Sequence, residues 1–360
     1  MEKKASMPET VQLQSAAGTY EVQIGCGLLN EIGVRTAAVC QPGKIAIISD
    51  ENVSRIFAPA VEKALTEAGF SVSTFVFSPG ENHKTLATVS EILNFISQER
   101  LTRSDLILAL GGGICGDMAG FAAAVYLRGI RFIQVPTTLL AMVDASVGGK
   151  TAVNLPLGKN LAGAFWQPSL VVCDPDTLQS LPAALLADGL AESIKHGMIA
   201  DRGLFELLES SDPAQNWEAI IARNIHIKSK FVAADTFDRG ERQLLNYGHT
   251  FGHAVEKASS FSISHGSAVA IGMLMAAKAA EKLGISQDPE ISGRLSRLLE
   301  KFNLPRETSL PVEQLIDAAL SDKKRSDGQI NFVFPETIGK CVLAPMPDER
   351  IPEIFRLAAA

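Results

Sequence analysis

Three of the six histidines in this chain of 360 residues lie close together, at His249, His253 and His265. His249 and His253 are four positions apart, so they would share one face of a helix. A lone histidine on an apolar face is usually a core residue, whereas such a pair with a third nearby is typical of a metal site. Zinc held by histidines and a carboxylate, with one open position, is the catalytic type. The spacing leaves both interpretations open.

A possible carboxylate ligand lies in the helical pattern from Leu185 to Ile199. Glu192 and Lys195 are three residues apart there and would lie on one helix face. Taken on these residues alone, the preferred interpretation is a structural salt bridge.

A glycine-rich turn in the N-terminal half is a candidate phosphate site. The apolar run from Leu106 to Leu110 is followed by Gly111, Gly112 and Gly113, and then by a helical pattern of small residues. A buried strand that ends in glycines and opens a helix brings backbone N–H groups close to a phosphate. The spacing differs from the G-x-G-x-x-G fingerprint, so a tight structural turn is the alternative.

The elements that must position this turn alternate between strand and helix, which predicts a parallel sheet with right-handed crossovers. Ligands of such sheets bind beyond the carboxyl ends of the strands. Any one polar cluster at a strand end is more typical of a turn, but four at one sheet edge favour a nucleotide site. The clusters are Asp50 with Asn52, Glu81 with Lys84, Gly112 and Gly113 with Asp117, and Thr137 with Thr138.

Several long motifs resemble those of the 3-dehydroquinate synthases, within the wider group of sugar-phosphate cyclases. They are GGGICGD, QVPTTLL, DASVGGKTAVN, GKN, GLAESIK, LNYGHTFGH and HGSAVAIGM, and the similarity runs from about Asp50 to about Phe334. The resemblance implies an α/β chain with a Rossmann-like parallel-sheet NAD-binding domain, 1–176. A mainly α-helical metal- and substrate-binding domain, 177–360, would follow.

The resemblance also implies roles for individual residues. It makes Glu192, His249 and His265 the ligands of Zn²⁺ or Co²⁺, and His253, Asp238 and Lys150 the catalytic residues. The residues implied to bind NAD are Asp50, Asn52, Glu81, Lys84, Gly112, Gly113, Ile114, Asp117, Thr137, Thr138, Lys150, Lys159, Thr177 and Ser180. The residues implied to bind substrate are Arg128, Asp144, Lys150, Asn160, Glu192, Lys195, Lys228, Arg242, Asn246 and Lys324, with Lys324 preferred over Lys323.

Four positions depart from the family pattern. Asp238 stands where a glutamate proposed as proton acceptor is common. Leu185 and Ser267 each replace a usual glutamate, and His196 replaces a usual tyrosine. These three lie beside the implied ligands, so the ligand assignment is kept.

The implied reaction converts 3-deoxy-D-arabino-heptulosonate 7-phosphate to 3-dehydroquinate and phosphate in the shikimate pathway. It would run by transient oxidation with NAD, phosphate elimination, re-reduction and intramolecular aldol closure. Oxidising the neighbouring alcohol acidifies the proton that elimination removes, so a lyase would use NAD and zinc together. The alternatives are a cyclase for sedoheptulose 7-phosphate or glucose 6-phosphate, a metal-dependent alcohol dehydrogenase of the same fold, and a non-catalytic NAD-binding protein.

Composition bears on partners and location. The net charge is −7 with no basic block, which argues against nucleic acid and anionic membranes as partners. Five scattered cysteines and an N-terminus without an apolar signal segment predict a cytoplasmic protein. A homodimer is implied only by the resemblance.

Overall fold

The computed structural model describes residues 8–15, 18–235, 240–322 and 329–359. Contacts within the chain divide them into two compact units. The first contains the described residues up to Leu181 together with Trp217–Ser229, and the second contains Pro182–Asn216 and the described residues from Lys230 onward. The predicted domains, 1–176 and 177–360, are meant as parts of the chain that fold separately. The contacts do not test separate folding, so this division stays a prediction.

The first unit contains most of the strands. In chain order its elements are β1 (Glu9–Ser15), β2 (Gly18–Ile24), α1 (Ile32–Val39), β3 (Lys44–Asp50), α2 (Glu51–Glu67), β4 (Ser71–Phe77), α3 (Leu86–Gln98), β5 (Leu106–Gly111), α4 (Gly113–Val125), β6 (Arg131–Pro136), β7 (Lys150–Leu155), β8 (Gly158–Phe165) and β9 (Leu170–Cys173).

One sheet organises this unit, with strand order β1-β2-β9-β6-β5-β3-β4. Every neighbouring pair is parallel except β1 with β2 at the edge. The central strands are continuous apolar runs because helices cover both faces, as the fully buried stretch 45–48 of β3 illustrates. The predicted parallel α/β sheet is confirmed.

Local sequence explains how the helices follow the strands. Asp50 ends β3 and caps α2, since its side chain accepts hydrogen bonds from the backbone N–H groups of Asn52 and Val53. Thr85 caps α3 in the same way. These caps turn the chain just beyond the carboxyl ends of the strands, so polar side chains accumulate at that edge.

The second unit is mainly helical, as predicted. Its elements are α5 (Ala183–Ala200), α6 (Arg202–Ser210), the end of α7 (Trp217–Ala234), α8 (His249–Ala258), α9 (His265–Lys282), α10 (Ile291–Lys301), α11 (Val312–Asp322), β10 (Gln329–Thr337), β11 (Lys340–Pro347) and α12 (Ile351–Ala359). An antiparallel hairpin, β10 with β11, adds a small sheet. Across the described ranges, no helix combines the length and apolar character needed to cross a bilayer.

Helix α9 is the centre of this unit, and it packs against α5, α8, α10 and α12. It starts at His265 because the Ser264 side chain caps it. His265 therefore occupies the first turn of the central helix.

Candidate active site

Two glycines on α9 allow the neighbouring helices to approach it closely. A Cβ atom at Gly266 would lie 2.3 Å from the Cα of Asp188 on α5. A Cβ atom at Gly272 would lie 2.1 Å from the carbonyl oxygen of Gly248, which directly precedes α8. Only glycine fits at such contacts. The close crossings bring Glu192 on α5, His249 on α8 and His265 on α9 into one cluster.

We expect Gly272→Ala to destabilise the second unit and to disturb this cluster. The added methyl group would collide with the backbone beside His249, and overpacking of this kind costs about 1–3 kcal/mol. Chemical denaturation should show that loss, and metal uptake should weaken with it. Gly293→Ala on α10 is the matched control, because the nearest atom to its added Cβ, Arg297 Nη1, would be 3.6 Å away. It should cause no loss of stability and a gain of up to about 1 kcal/mol. Unchanged stability in Gly272→Ala would contradict the close-crossing explanation.

The cluster has the donor set of a metal centre. One ligand atom from each of Glu192, His249 and His265 lies within 4.8 Å of the others. Glu192 Oε1 is 3.3 Å from His265 Nε2 and 3.9 Å from His249 Nε2. This buried oxygen accepts no hydrogen bond of good geometry within the described residues. Two imidazole nitrogens and one carboxylate oxygen fit a catalytic zinc or cobalt ion and leave a position for a substrate oxygen.

Lys195 sets the charge of Glu192. The two side chains form an ion pair, and both are almost fully buried. Burial opposes ionisation of Glu192, but the Lys195 ammonium and the two imidazoles outweigh it and hold its pKa well below the usual value. The carboxylate is therefore anionic, as a metal ligand must be.

The pKa values of the two histidines of the cluster shift in opposite directions. Burial and the Lys195 charge lower the pKa of His249 to about 3. Burial also opposes protonation of His265, but Glu192 and Glu256 outweigh it and raise the pKa of His265 to about 10. In the metal-free protein near neutral pH, His249 is thus neutral, and His265 would have to lose a proton to bind a metal.

Other predicted residues of this unit lie around the cluster. The His253 ring centroid is 5.3 Å from that of His249 and 6.5 Å from that of His265. Arg242, which is buried, and Asn246 lie on the short helix Glu241–Asn246, which packs against α5. Asp238, Lys323 and Lys324 lie outside the described residues.

The glycine-rich turn of the first unit has the form of a phosphate site. Helix α4 starts at Gly113, and Gly112 caps it without a side-chain hydrogen bond, so the first N–H groups of the helix remain available. A Cβ atom at Gly112 would lie 2.9 Å from the Thr138 side chain. The start of α4 thus lies in a closely packed turn at the carboxyl ends of β5 and β6, and its N–H groups fit the pyrophosphate of NAD.

Lys84 joins the predicted polar clusters at this edge. Its ammonium donates to the Asp117 carboxylate at 2.5 Å and to the Asn160 side-chain oxygen at 2.5 Å. Burial raises the pKa of Asp117 despite the Lys84 charge. Asn154 also belongs to this group, since it donates to Glu81 at 2.7 Å and accepts from the Asn160 backbone at 2.9 Å.

A second charged pair lies in the same unit. The Lys228 ammonium donates to the Asp144 carbonyl oxygen at 2.5 Å and forms an ion pair with the carboxylate of that residue. Asp144 is part of a π-helical turn, Ala141–Ala145. Such turns often occur at functional sites because they redirect side chains.

The remaining predicted residues are distributed more widely over the first unit. Thr177 donates to the Asp174 carbonyl and Ser180 to that of Thr177, so both hydroxyls complete a short helix. Arg128 is exposed with a φ of 68°, in the left-handed region that non-glycine residues rarely adopt. Ile114 lies on α4, Thr137 follows β6, Lys150 starts β7 and Lys159 lies on β8.

Sequence reasoning missed two residues at these sites. Asn154 ends the DASVGGKTAVN motif, but its contacts come from residues distant in the chain. Glu256 is 3% exposed and lies near His265. Its spacing of seven from His249 would have placed it on the same helix face, and this signal was available.

The sequence of this chain matches known protein families in two consecutive parts. The family profile of the 3-dehydroquinate synthase N-terminal domain matches residues 74–188, and that of the C-terminal domain matches residues 189–325. A curated 3-dehydroquinate synthase from Enterococcus faecalis is 42% identical over 339 residues, covering 92% of this chain and 94% of its own length.

Two solved structures are similar over nearly the whole chain. One is a 2-deoxy-scyllo-inosose synthase complexed with carbaglucose-6-phosphate, NAD+ and Co2+, with a TM-score of 0.86, 28% identity, and coverage of 97% of this chain and 99% of its own. The other is a 2-epi-5-epi-valiolone synthase from Streptomyces hygroscopicus subsp. jinggangensis 5008 with NAD+ and Zn2+ bound. It has a TM-score of 0.84, 26% identity and coverage of 99% of both chains.

Proposed function

The chain belongs to the 3-dehydroquinate synthase family, and we propose that it converts 3-deoxy-D-arabino-heptulosonate 7-phosphate to 3-dehydroquinate and phosphate. The protein is then a phosphorus–oxygen lyase that uses NAD and a divalent metal. The observation that carries the proposal is the cluster of the buried Glu192 with His249 and His265, which provides the donor set that metal-assisted alcohol oxidation needs.

We assign Glu192, His249 and His265 as the metal ligands and the edge around Gly112, Gly113 and Lys84 as the NAD site. When bound, the metal would polarise a substrate hydroxyl, and NAD would act as the hydride acceptor. The proposed task of the chain's own residues is to hold the reactants and to move protons.

His253 is proposed as the proton-transfer residue near the metal ligands. It lies one helical turn after His249 on α8, with the ring centroids 5.3 Å apart. No second base is assigned to elimination, because the substrate's own phosphate can accept that proton. Lys228, Arg242 and Lys195 are proposed to bind the substrate anions, together with Arg128, Lys150 and Lys324. A cytoplasmic location and a homodimer remain predictions that family membership supports.

The test of this function is a comparison of three sugar phosphates with the unaltered protein. Incubation with the heptulosonate phosphate should release one phosphate per turnover and give 3-dehydroquinate, identified by NMR, without net formation of NADH. Faster cyclisation of sedoheptulose 7-phosphate or glucose 6-phosphate would assign the chain to another cyclase reaction. The similarity to an inosose synthase is the reason to include these two substrates. Net NADH release would instead identify an alcohol dehydrogenase.

We expect NAD to bind far more tightly than NADP. Asp50 ends β3 at the proposed cofactor edge, and a carboxylate there accepts ribose hydroxyls but repels a 2′-phosphate. Like charges placed together cost several kcal/mol, so NADP should bind about 100-fold more weakly or worse. Asp50→Asn should narrow this ratio by about tenfold, because asparagine still caps α2 without the charge.

Calorimetric titration with both nucleotides measures this ratio. Glu91→Gln on α3 is the control, since Glu91 is exposed and away from the strand ends. Equal affinity of the unaltered protein for NAD and NADP would contradict the assignment of the acidic edge.

A further inference from the structure

A second carboxylate stands behind one of the proposed metal ligands. Glu256 is on α8, and with His249 and His253 it falls at positions i, i+4 and i+7, which share one helix face. Its Oε2 is 3.6 Å from the Nδ1 atom of His265, the ring nitrogen opposite the one that faces Glu192. Glu256 is only 3% exposed, so its charge requires partners inside the protein.

The two imidazoles of the cluster are held in different ways. His249 Nδ1 is 3.2 Å from the Tyr247 carbonyl oxygen, a neutral acceptor on its own chain segment. His265 Nδ1 faces a carboxylate on another helix. A metal that binds through Nε2 would leave the hydrogen on Nδ1 of each ring, facing these acceptors.

Packing restrains the two rings unequally. The His249 side chain is 13% exposed, whereas that of His265 is 36% exposed. Since its surroundings cover less of it, His265 depends more on a specific contact to keep its ring orientation. The Glu256 carboxylate provides such a contact to its Nδ1 atom.

We propose that Glu256 is a positioning residue, which accepts a hydrogen bond from His265 Nδ1–H, fixes the tautomer and orientation of that ring, and thereby strengthens metal binding through Nε2. A carboxylate behind a ligating histidine also makes the imidazole a stronger donor, and losing such a partner typically lowers metal affinity 10–100-fold. The inference rests on the proposed metal centre.

A purely structural role for Glu256 makes a different prediction. An ion pair between Glu256 and protonated His265 would stabilise the metal-free protein and contribute nothing once the metal has displaced the proton. Glu256 would then affect unfolding of the metal-free chain but would not affect the coordination geometry of the bound ion.

The experiment titrates the full-length protein with Co²⁺ and Zn²⁺ against a competing chelator and records the visible absorption of the Co²⁺ form. Glu256→Gln should bind both ions 10–100-fold more weakly and change the Co²⁺ spectrum, while circular dichroism shows a folded chain. Glu307→Gln is the matched control, with the same chemical change at an exposed site of the same unit, and it should match the unaltered protein. In a His265→Gln background, adding Glu256→Gln should change the residual Co²⁺ affinity by less than about twofold, because no imidazole remains to be oriented.

Three outcomes would overturn the proposal. Unaltered affinity and spectrum in folded Glu256→Gln would show that the carboxylate does not position the ligand. An equal loss of affinity with and without His265 would show that Glu256 acts on the ion directly rather than through His265. Absence of stoichiometric metal binding by the unaltered protein would overturn the metal centre itself, and only this result would also count against the proposed function.

Discussion

His249→Ala should lower the metal content of the purified protein from about one ion per chain to near zero and abolish turnover. Its imidazole is one of the three proposed metal ligands, and its low pKa means that the change removes a neutral group. Little charge is left unbalanced, so the fold should survive. Metal analysis of the purified variant and phosphate release from the heptulosonate phosphate measure the two effects.

His253→Ala is the decisive companion to this variant. It should retain the metal and lose rate by roughly 10²–10⁴-fold, the usual contribution of a positioned proton-transfer group. His226→Ala, at an exposed histidine that contacts Glu9, should change neither property. Full metal occupancy in His249→Ala, or loss of the metal in His253→Ala, would show that the two histidines have been assigned the wrong roles.

Alanine at either of the other two proposed ligands should cause the same loss of metal and activity. At Glu192 it should also lower the stability of the fold. Removing the Glu192 carboxylate breaks its ion pair with the buried Lys195 ammonium, and breaking a buried pair costs about 3–5 kcal/mol. Glu192→Ala should therefore unfold more readily than His265→Ala. Glu192→Gln preserves the volume of the side chain and is the cleaner test of ligation.

The fold was predictable where a pattern is local. Continuous apolar runs such as the one in β5, each followed by a cap or a glycine, indicated a parallel sheet, because only helices on both faces hide such strands. The hairpin of β10 and β11 was not predicted, and its proline-containing strands, with Pro335 and Pro345, are weak strand signals.

The three residues of the metal-type cluster could be named from the sequence, but their contacts could not. Spacing alone favoured a salt bridge between Glu192 and Lys195, and the structure contains that ion pair. The same carboxylate also faces two histidines, a fact that depends on helix crossings at Gly266 and Gly272 rather than on spacing. Lys84, Asp117 and Asn160 were each assigned to a ligand. The hydrogen bonds that join them were not predicted, because they connect residues far apart in the sequence.

Lys228→Met should cripple turnover of the heptulosonate phosphate while NAD and metal remain bound. The proposed partner of Lys228 is a substrate anion, and a buried carboxylate without its cation costs on the order of 3–5 kcal/mol. That loss corresponds to roughly 10²–10⁴-fold in kcat/KM. Lys230→Met, at an exposed lysine on the same helix, is the control and should retain full activity.

Arg242 tests the same requirement from the second unit. Arg242→Ala should cause a comparable loss, but it also empties the space of a side chain that is 2% exposed. Arg242→Lys separates the two effects, since it keeps the charge and most of the volume but loses the planar fork that binds an anion with two hydrogen bonds. A large loss of activity in Arg242→Lys, with unfolding unchanged, would assign the effect to anion recognition.

The choice of substrate then decides which anion these cations bind. Sedoheptulose 7-phosphate has the phosphate of the heptulosonate but not its carboxylate. If Lys228 and Arg242 bind the carboxylate, the altered proteins should lose activity with the heptulosonate and lose little of any slow activity with sedoheptulose 7-phosphate. Equal losses with both substrates would show that the cations bind the shared phosphate instead. Because Lys228 also pairs with Asp144, the Asp144→Asn variant belongs in the same comparison. If its losses match those of Lys228→Met with both substrates, the lysine acts by holding Asp144 rather than by binding substrate.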